Sequence, residues 1–249
     1  MTLSESELER YSRQLVLPEW SGDAQERLKQ STVLVVGAGA LGSPVAAYLA
    51  GAGVGRLGIL DGDVVEPSNL PRQLLHFTPD VGVPKAHSAA AKLGFLNPEV
   101  VVEPYQVTLD AANAGALLEG QDLVVDCTDS FGARYVVNAA CCAAGVPLVE
   151  GGVTGFEGLV MAIRPRVTAC YRCAFPAPPP AGSVPSCAEA GVLGPAAGVI
   201  GSLMALEALK LLAGLEPVTT DAFLHVDLLA PATTTIRVER RADCPDCVY

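Results

Sequence analysis

Two pairs of cysteines, Cys170-Tyr-Arg-Cys173 and Cys244-Pro-Asp-Cys247, stand far apart in a chain of 249 residues. In each, two intervening residues let one turn of backbone present both thiolates to a common point. Four thiolates complete a closed tetrahedral Zn2+ site with no open position for chemistry. A single pair could be a redox centre, but two predict a structural zinc that ties the end of the chain to an earlier segment. A second group of residues points to phosphate. Gly37-Ala-Gly-Ala-Leu-Gly42 has the spacing G-x-G-x-x-G directly after an apolar run. Glycines there permit a tight turn, close approach of backbone to an anion, and close packing of the helix that comes next. Asp61 comes roughly 20 residues on, where an acid can hold ribose hydroxyls.

The segment after Asp61 separates the possible chemistries. Asn69, Arg72, Gln73 and Lys85 come next, and Asp126-Cys-Thr-Asp129 closes a later apolar run. Arg72 and Lys85 suit a triphosphate under attack, which needs its charge neutralised, more than they suit a nicotinamide. By spacing alone they read equally as solvated surface charges. Mg2+ prefers one or two carboxylates plus phosphate oxygens, and Asp129 is assigned to it, with Asp126 structural. The alternative is that one of these acids caps the next helix. No Walker A sequence occurs. His76, His87 and His225 are the only histidines and sit in no triad or ligand motif, so each is read as incidental. Cys127, Cys141 and Cys142 lie in apolar segments and read as small buried hydrophobes.

These groups need a frame. Ser4 and Glu7 form a capping-box pattern that opens a helix over 4–17, and a short helix is predicted over 23–29. Continuous apolar runs at 32–36, 57–60, 100–102, 123–125 and 147–149 read as strands buried on both faces, alternating with helices over 41–52, 84–96, 111–118 and 131–144. That order predicts a doubly wound, Rossmann-like α/β fold with a mainly parallel sheet. Beyond Gly152 the rhythm changes. Strands over 154–164 and 222–238, with a helix near 196–213, predict an antiparallel C-terminal extension that carries the zinc site. The Pro-rich stretch 174–186 reads as a mobile crossover loop. One domain over 1–249 is expected: N-terminal helices (1–30), a nucleotide-binding core (31–152) and the zinc-containing extension (153–249).

Composition limits the partners. Sixteen Lys and Arg against 27 Asp and Glu give a formal charge of −11, which disfavours nucleic acid and anionic membranes as partners. Residues 1–12 are polar with no apolar run, so no secretory signal is expected. The most apolar stretch, 191–214, is interrupted by Glu207 and Lys210 and reads as a loop leading into a buried core helix. A cytoplasmic protein is expected, its eight cysteines thiols or metal ligands.

In order along the chain, Gly37 to Gly42, Asp61, Asn69-Leu-Pro-Arg-Gln73, Lys85, Asp126-Cys-Thr-Asp129, Cys170-Tyr-Arg-Cys173, Cys187-Ala-Glu-Ala-Gly-Val192 and Cys244-Pro-Asp-Cys247 resemble the ThiF/MoeB/HesA family, bacterial relatives of ubiquitin-activating enzymes. The resemblance implies an ATP-dependent adenylyltransferase. Its substrate would be the C-terminal Gly-Gly carboxylate of a ubiquitin-like sulfur carrier, similar to ThiS or MoaD, in thiamin or molybdopterin-type biosynthesis. It also implies a homodimer that uses ATP, Mg2+ and a structural Zn2+, with a cysteine desulfurase or other sulfur donor as a further partner. Carried over residue by residue, Gly37, Gly39 and Gly42 form the phosphate turn and Asp61 binds ribose. Asn69, Arg72 and Lys85 contact the phosphates, with Gln73 beside them, and Asp129 binds Mg2+. Arg13, in Arg10-Tyr-Ser-Arg-Gln14, matches an arginine supplied across the dimer to the neighbouring site. Cys187 matches a cysteine that in some relatives links covalently to the activated carrier, and is either a nucleophile or a bystander. Pro71 stands where Gln is common in the family, and Ser130 where Asn is common.

This chemistry suits the residues. A terminal carboxylate, with a pKa of about 3.3–3.7, is already ionised at neutral pH and needs no general base. The barrier is the approach of two anions, which cations lower. Two alternatives remain: adenylation of a small-molecule or tRNA-attached carboxylate, and an NAD-dependent oxidoreductase that would leave Asn69, Arg72, Lys85 and Asp129 without work. The sequence ends at Tyr249, just past the second cysteine pair, and no appended sulfurtransferase domain is expected.

Overall fold

Strand β1 (Thr32–Val36) has no polar face to turn to water. Val33 and Val35 point to one side of the sheet and Leu34 and Val36 to the other, all buried. Burying a side chain of this size contributes about 1.5–3 kcal/mol, so such a strand requires cover on both faces. The computed structural model describes residues 3–180, 190–216, 219–230 and 232–247. Its eight-stranded sheet runs in the order β3-β2-β1-β4-β5-β6-β7-β8. The further strands are β2 (Arg56–Leu60), β3 (Val101–Tyr105), β4 (Leu123–Asp126), β5 (Leu148–Thr154), β6 (Glu157–Ile163), β7 (Ala222–Asp227) and β8 (Ala232–Arg237). Strands β1 to β5 pair in parallel, and every pairing from β5 to β8 is antiparallel. Val36 stands opposite both Leu60 and Asp126, so β1, β2 and β4 end level with one another.

One face of the sheet packs against α3 (Gly22–Gln30), α4 (Gly42–Ala52), α5 (Lys85–Leu96) and α9 (Gly194–Ala213); the other packs against α6 (Ala114–Leu118), α7 (Phe131–Ala144) and α8 (Tyr171–Ala174). By length and composition alone α9 could cross a membrane, but half of it is buried inside the fold. It lies against α4, β5 and β6, and its Glu207 accepts hydrogen bonds from the Thr219 amide (3.1 Å) and hydroxyl (2.7 Å). The core helix expected near 196–213 is therefore observed.

Several boundaries differ from expectation for local reasons. The helix expected over 4–17 is two, α1 (Glu5–Arg10), with the Ser4/Glu7 capping box, and α2 (Ser12–Leu15). Tyr11 breaks them apart: its ring is buried against Gly53 and its hydroxyl accepts from Asn97 (3.0 Å). The strand expected at 100–102 continues to Tyr105 through Pro104, which an edge strand tolerates. The helix expected from 111 starts at Ala114, because the Asp110 carboxylate holds the amides of Ala112 (2.8 Å) and Asn113 (3.0 Å) in a turn. The stretch 222–238 is a hairpin of two strands. Much of the Pro-rich stretch 174–186 lies outside the described residues.

Backbone approaches backbone most closely where β1 turns into α4. Gly37 has a left-handed φ of 96°, and a Cβ on Gly42 would overlap the Gly37 carbonyl oxygen, whereas Gly51 of the same helix faces open space. Gly42→Ala is expected to cost about 1–3 kcal/mol or more, while Gly51→Ala is neutral or stabilising by up to about 1 kcal/mol. Urea midpoints of the two variants check this contrast.

Candidate active site

Between β1 and β4 the strand order reverses, and open α/β sheets leave a crevice at such a point beyond the carboxyl ends of their strands. A cavity of about 240 Å3 lies there. Gly37 and Gly39 of the turn form one wall, with Asp61 and Asp63 after β2 beside them. Arg72, Gln73 and Lys85 close a second side, and Thr128, Asp129 and Arg134 a third. The groups that sequence spacing left open as surface charges thus face the glycine turn.

The turn is pinned through one residue. The Ala38 amide donates to the Asp61 carboxylate (2.8 Å), whose other oxygen accepts from the Asp63 amide (2.8 Å). From below, the His76 ring lies between the Ala38 carbonyl (Nε2, 2.9 Å) and the Ser88 hydroxyl (Nδ1, 2.9 Å). Burial pushes the His76 pKa down, so the ring is neutral with a single N–H. A carbonyl can only accept, so that proton sits on Nε2 and Nδ1 accepts from Ser88. His76 therefore supports the site and is not incidental. No motif marks it; its position in the loop after Gln73 was the only signal.

The cations at the cavity hold different kinds of partner. Lys85 Nζ is 2.9 Å from an Asp63 carboxylate that is 75% exposed, and Arg72 donates to the Ser68 carbonyl (2.8 Å). Gln73 Oε1 and Thr128 Oγ1 are buried without a partner among the described residues. Buried polar atoms left this way on a cavity wall suit a polar ligand that completes them. The cap of α7 is Ser130, whose hydroxyl accepts from the Ala133 amide (3.2 Å). That excludes Asp126 and Asp129 from the capping role. Asp126 is buried and accepts from the Thr128 amide (2.9 Å). Asp129 is exposed on the cavity wall, and among the described residues its carboxylate is unpaired.

Beneath this wall lies a charged cluster that the sequence reading missed. Asp126 and Glu150 are cross-strand partners at β4 and β5, both fully buried. The Arg134 guanidinium stands 3.3 Å from Glu150 and donates to the Thr128 carbonyl (3.3 Å). Asp126 Oδ2 and both Glu150 oxygens lack a donor among the described residues. Two facing carboxylates cannot satisfy each other unless one carries a proton. Burial and the neighbouring Asp126 raise the Glu150 pKa well above its usual range, and a proton there makes the three-residue cluster neutral. The visible signal was a lone arginine in an otherwise uncharged helix. Cys127, also on the cavity wall, is held as a neutral thiol by burial.

The other expected site residues lie elsewhere. Gly42 sits behind the turn. Asn69 is buried in a short helical turn (Pro67–Asn69), where its Oδ1 accepts from the Glu66 amide (3.1 Å) and does not reach the cavity. Arg13 is exposed on α2, off the cavity wall. Cys187 lies outside the described residues. The four cysteines of the two pairs do converge. Their sulfurs all lie within 4.8 Å of one another, with Cys170–Cys173 at 3.9 Å, Cys170–Cys244 at 3.6 Å and Cys173–Cys247 at 3.4 Å. A tetrahedron with Zn–S bonds of about 2.3 Å has edges of about 3.8 Å, so the donor set fits zinc. The Arg241 amide (3.4 Å) and Asn138 Nδ2 (3.7 Å) point at these sulfurs, as outer donors to metal-bound thiolates do.

Comparison with known proteins agrees with this geometry. A family model described as the ThiF family matches residues 11–246. The sulfur carrier protein adenylyltransferase of Thermus thermophilus is 48% identical over 99% of this chain and 93% of its own length. The SAMP-activating enzyme E1 of Haloferax volcanii is 44% identical, with 99% and 91% covered. The adenylyltransferase and sulfurtransferase MOCS3 of Sus scrofa is 49% identical over 98% of this chain, which spans only 53% of that protein. Among solved structures, Escherichia coli MccB with ATP superposes with a TM-score of 0.87 at 22% identity, over 100% of this chain and 77% of that one, a likeness of fold.

The acid cluster sets a pH dependence. An unfolded glutamate ionises near pH 4.3, while folded Glu150 keeps its proton to higher pH. Its contribution to stability therefore falls as pH rises above about 4.3, until the folded pKa is reached. Glu150→Gln, which cannot ionise, is expected to gain stability relative to wild type between about pH 5 and pH 7. Urea midpoints at both pH values check it, and a difference that stays constant with pH contradicts it.

Proposed function

The chain belongs to the ThiF family, and on that footing we propose that the cavity binds ATP and adenylates the C-terminal carboxylate of a ubiquitin-like sulfur carrier, releasing pyrophosphate. The supporting observation is that Arg72, Lys85 and the unpaired Asp129 carboxylate face one cavity together with the glycine turn. In this reading the triphosphate lies along the turn, with its anionic oxygens toward the free amides at the start of α4. The Asp61 carboxylate, fixed by the Ala38 and Asp63 amides, is placed to accept from ribose hydroxyls. Gln73 and Thr128 gain the partners they lack.

The attacking group is a carboxylate oxygen. It forms a bond to the α-phosphorus as the bond from that phosphorus to the bridging oxygen of pyrophosphate breaks, and no proton moves. The chain's task is to hold two anions together and to stabilise the charge that shifts onto the leaving group. Lys85 and Arg72 reach the phosphates by giving up Asp63 and the Ser68 carbonyl. Asp63 is exposed and regains water when Lys85 turns from it, and the phosphate replaces it as the partner of the buried ammonium. Mg2+ held by Asp129 and phosphate oxygens would supply further charge neutralisation. Cys127, a buried neutral thiol, has no part in the reaction.

Arg13, exposed and off the cavity wall, suits delivery to the site of a second copy, so the proposal includes a homodimer. The carriers are those of thiamin or molybdopterin-type biosynthesis, with a separate sulfur donor. The sulfurtransferase half of the mammalian relative's name belongs to a protein nearly twice as long and is not part of the proposal. Zinc held by Cys170, Cys173, Cys244 and Cys247 is structural, because all four positions of a tetrahedral ion are filled by protein.

Arg72→Ala and Asp129→Ala are each expected to lower carrier-dependent exchange of labelled pyrophosphate into ATP by on the order of 10^2-fold, and undiminished exchange in both variants overturns the proposal. Cys170→Ser is expected to lose bound zinc and to melt at a lower temperature, read by metal analysis and calorimetry. A variant that stays zinc-loaded and stable contradicts the structural role.

A further inference from the structure

Two consecutive peptide groups of the glycine turn are each held by a side chain. The first, between Gly37 and Ala38, is fixed by its N–H, which donates to Asp61 (2.8 Å). The second, between Ala38 and Gly39, is fixed by its carbonyl, which accepts from His76 Nε2 (2.9 Å). Among the described residues no peptide bond is cis, and in a trans peptide the C=O and N–H point in opposite directions. With the Ala38 carbonyl turned to His76, the Gly39 N–H points away from it. Ala38 and His76 are buried and do not line the cavity, whereas Gly39 does. The Gly39 amide is therefore on the cavity side, and no acceptor takes it among the described residues.

This peptide has a second orientation open to it. Glycine accepts either sign of φ, and a Cβ at Gly39 would meet only Gln73 Nε2, at 3.6 Å, so nothing but its hydrogen bond keeps the peptide from turning over. Turned over, it would aim a carbonyl oxygen where the amide now stands, an acceptor against an anion. The tautomer of His76 decides between the two. Nε2 carries a proton because a carbonyl can only accept. Nδ1 meets the Ser88 hydroxyl (2.9 Å), and Ser88 Oγ accepts from Lys92 Nζ (3.2 Å), an ammonium with donors only. These hydrogen bonds run one way, from Lys92 through Ser88 and His76 to the Ala38 carbonyl.

Resting on the nucleotide-binding reading of the cavity, we propose that His76 is a positioning residue that sets the direction of the Ala38–Gly39 peptide, so that the glycine turn offers phosphate a donor, and that Ser88 fixes the tautomer this requires. His76 touches no ligand and acts through the Gly39 amide. The ribose end is held separately, because Asp61 takes the amide of the preceding peptide. Loss of His76 therefore weakens binding of the phosphates and spares the nucleoside.

The test is calorimetric titration of the full chain with ATP and with adenosine, both without Mg2+, beside melting temperature. His76→Phe keeps a planar ring without a donor. It is expected to bind ATP about 10-fold more weakly and adenosine within about 2-fold of wild type. His76→Gln carries an amide N–H that can take the place of the Nε2 proton, and is expected to recover most of the ATP affinity. Ser88→Ala keeps the ring but frees its tautomer. A loss of about 3-fold, again selective for ATP, is expected there, which keeps the inference testable if His76→Phe does not fold. Tyr11→Phe is the control. It removes a buried hydroxyl off the cavity wall, the one that accepts from Asn97 (3.0 Å), and keeps both affinities. Equal losses for ATP and adenosine in the folded variants overturn the inference, as does unchanged ATP binding or a His76→Gln no better than His76→Phe. Wild-type protein that binds ATP no more tightly than adenosine overturns the functional reading instead.

Discussion

The site depends on how closely α4 can start against the end of β1. With no Cβ at Gly42, the helix begins directly on the Gly37 carbonyl, and its first amides point over the ends of β1, β2 and β4, which stop level. Only then does Ala38 lie where Asp61 takes its amide and His76 donates to its carbonyl. A helix displaced by the width of a methyl group would lose both contacts. The cavity is thus a consequence of backbone packing before any charged side chain enters it.

The basic residues at this cavity divide by the burial of their partners. Lys85 is paired with the exposed Asp63 and Arg72 with a loop carbonyl. Water can replace either partner, so both cations can turn to an incoming anion at small cost. Arg134 instead offsets the one negative charge of the buried Asp126 and Glu150, standing 3.3 Å from Glu150, and removing it would leave that buried charge uncompensated. Partner exposure therefore separates two cations that can turn to a ligand from one that belongs to the scaffold, although all three line the cavity. The proton that Glu150 keeps is part of the same logic, since two carboxylates beside one guanidinium would leave a buried net charge.

Much of this was legible in the sequence because it is local. Thr32–Val36 leading into Gly37 to Gly42 announces a buried strand, a tight turn and a helix in one stretch, and paired cysteines carry their ligand geometry in their spacing. Asp61, Arg72, Lys85 and Asp129 come after strand ends or in the turns beyond them, and the alternation of strands and helices places such positions along one edge of the sheet. The missed features are long-range. His76 matters because its loop folds back beneath Ala38, and Glu150 because register sets it beside Asp126 on the next strand. Neither fact has a local pattern. Asn69 is different: it sits within a recognisable motif, yet its Oδ1 is used by the Glu66 amide and it lies off the cavity wall. A motif gives the neighbourhood of a residue, and the direction of its side chain depends on which backbone donors nearby need an acceptor.

The joint between the parallel and antiparallel halves of the sheet obeys the same constraint of close approach. Strand β5 pairs in parallel with β4 and antiparallel with β6, so its residues must fit a helix on each face. On one side α9 comes so close that a Cβ on Gly151 would overlap the Met204 sulfur, and one on Gly158 of β6 would overlap Ile200. On the other, Gly152 leaves the space that Arg134 fills. Because successive residues of a strand face opposite sides, Gly151 and Gly152 serve the two faces in turn, and Glu150, one step earlier, faces the Arg134 side. The glycines that let α9 seat flush on the sheet are thus neighbours of the acid that fixes Arg134. Packing of the C-terminal helix and the placement of Arg134 on the cavity wall are both set within one three-residue stretch.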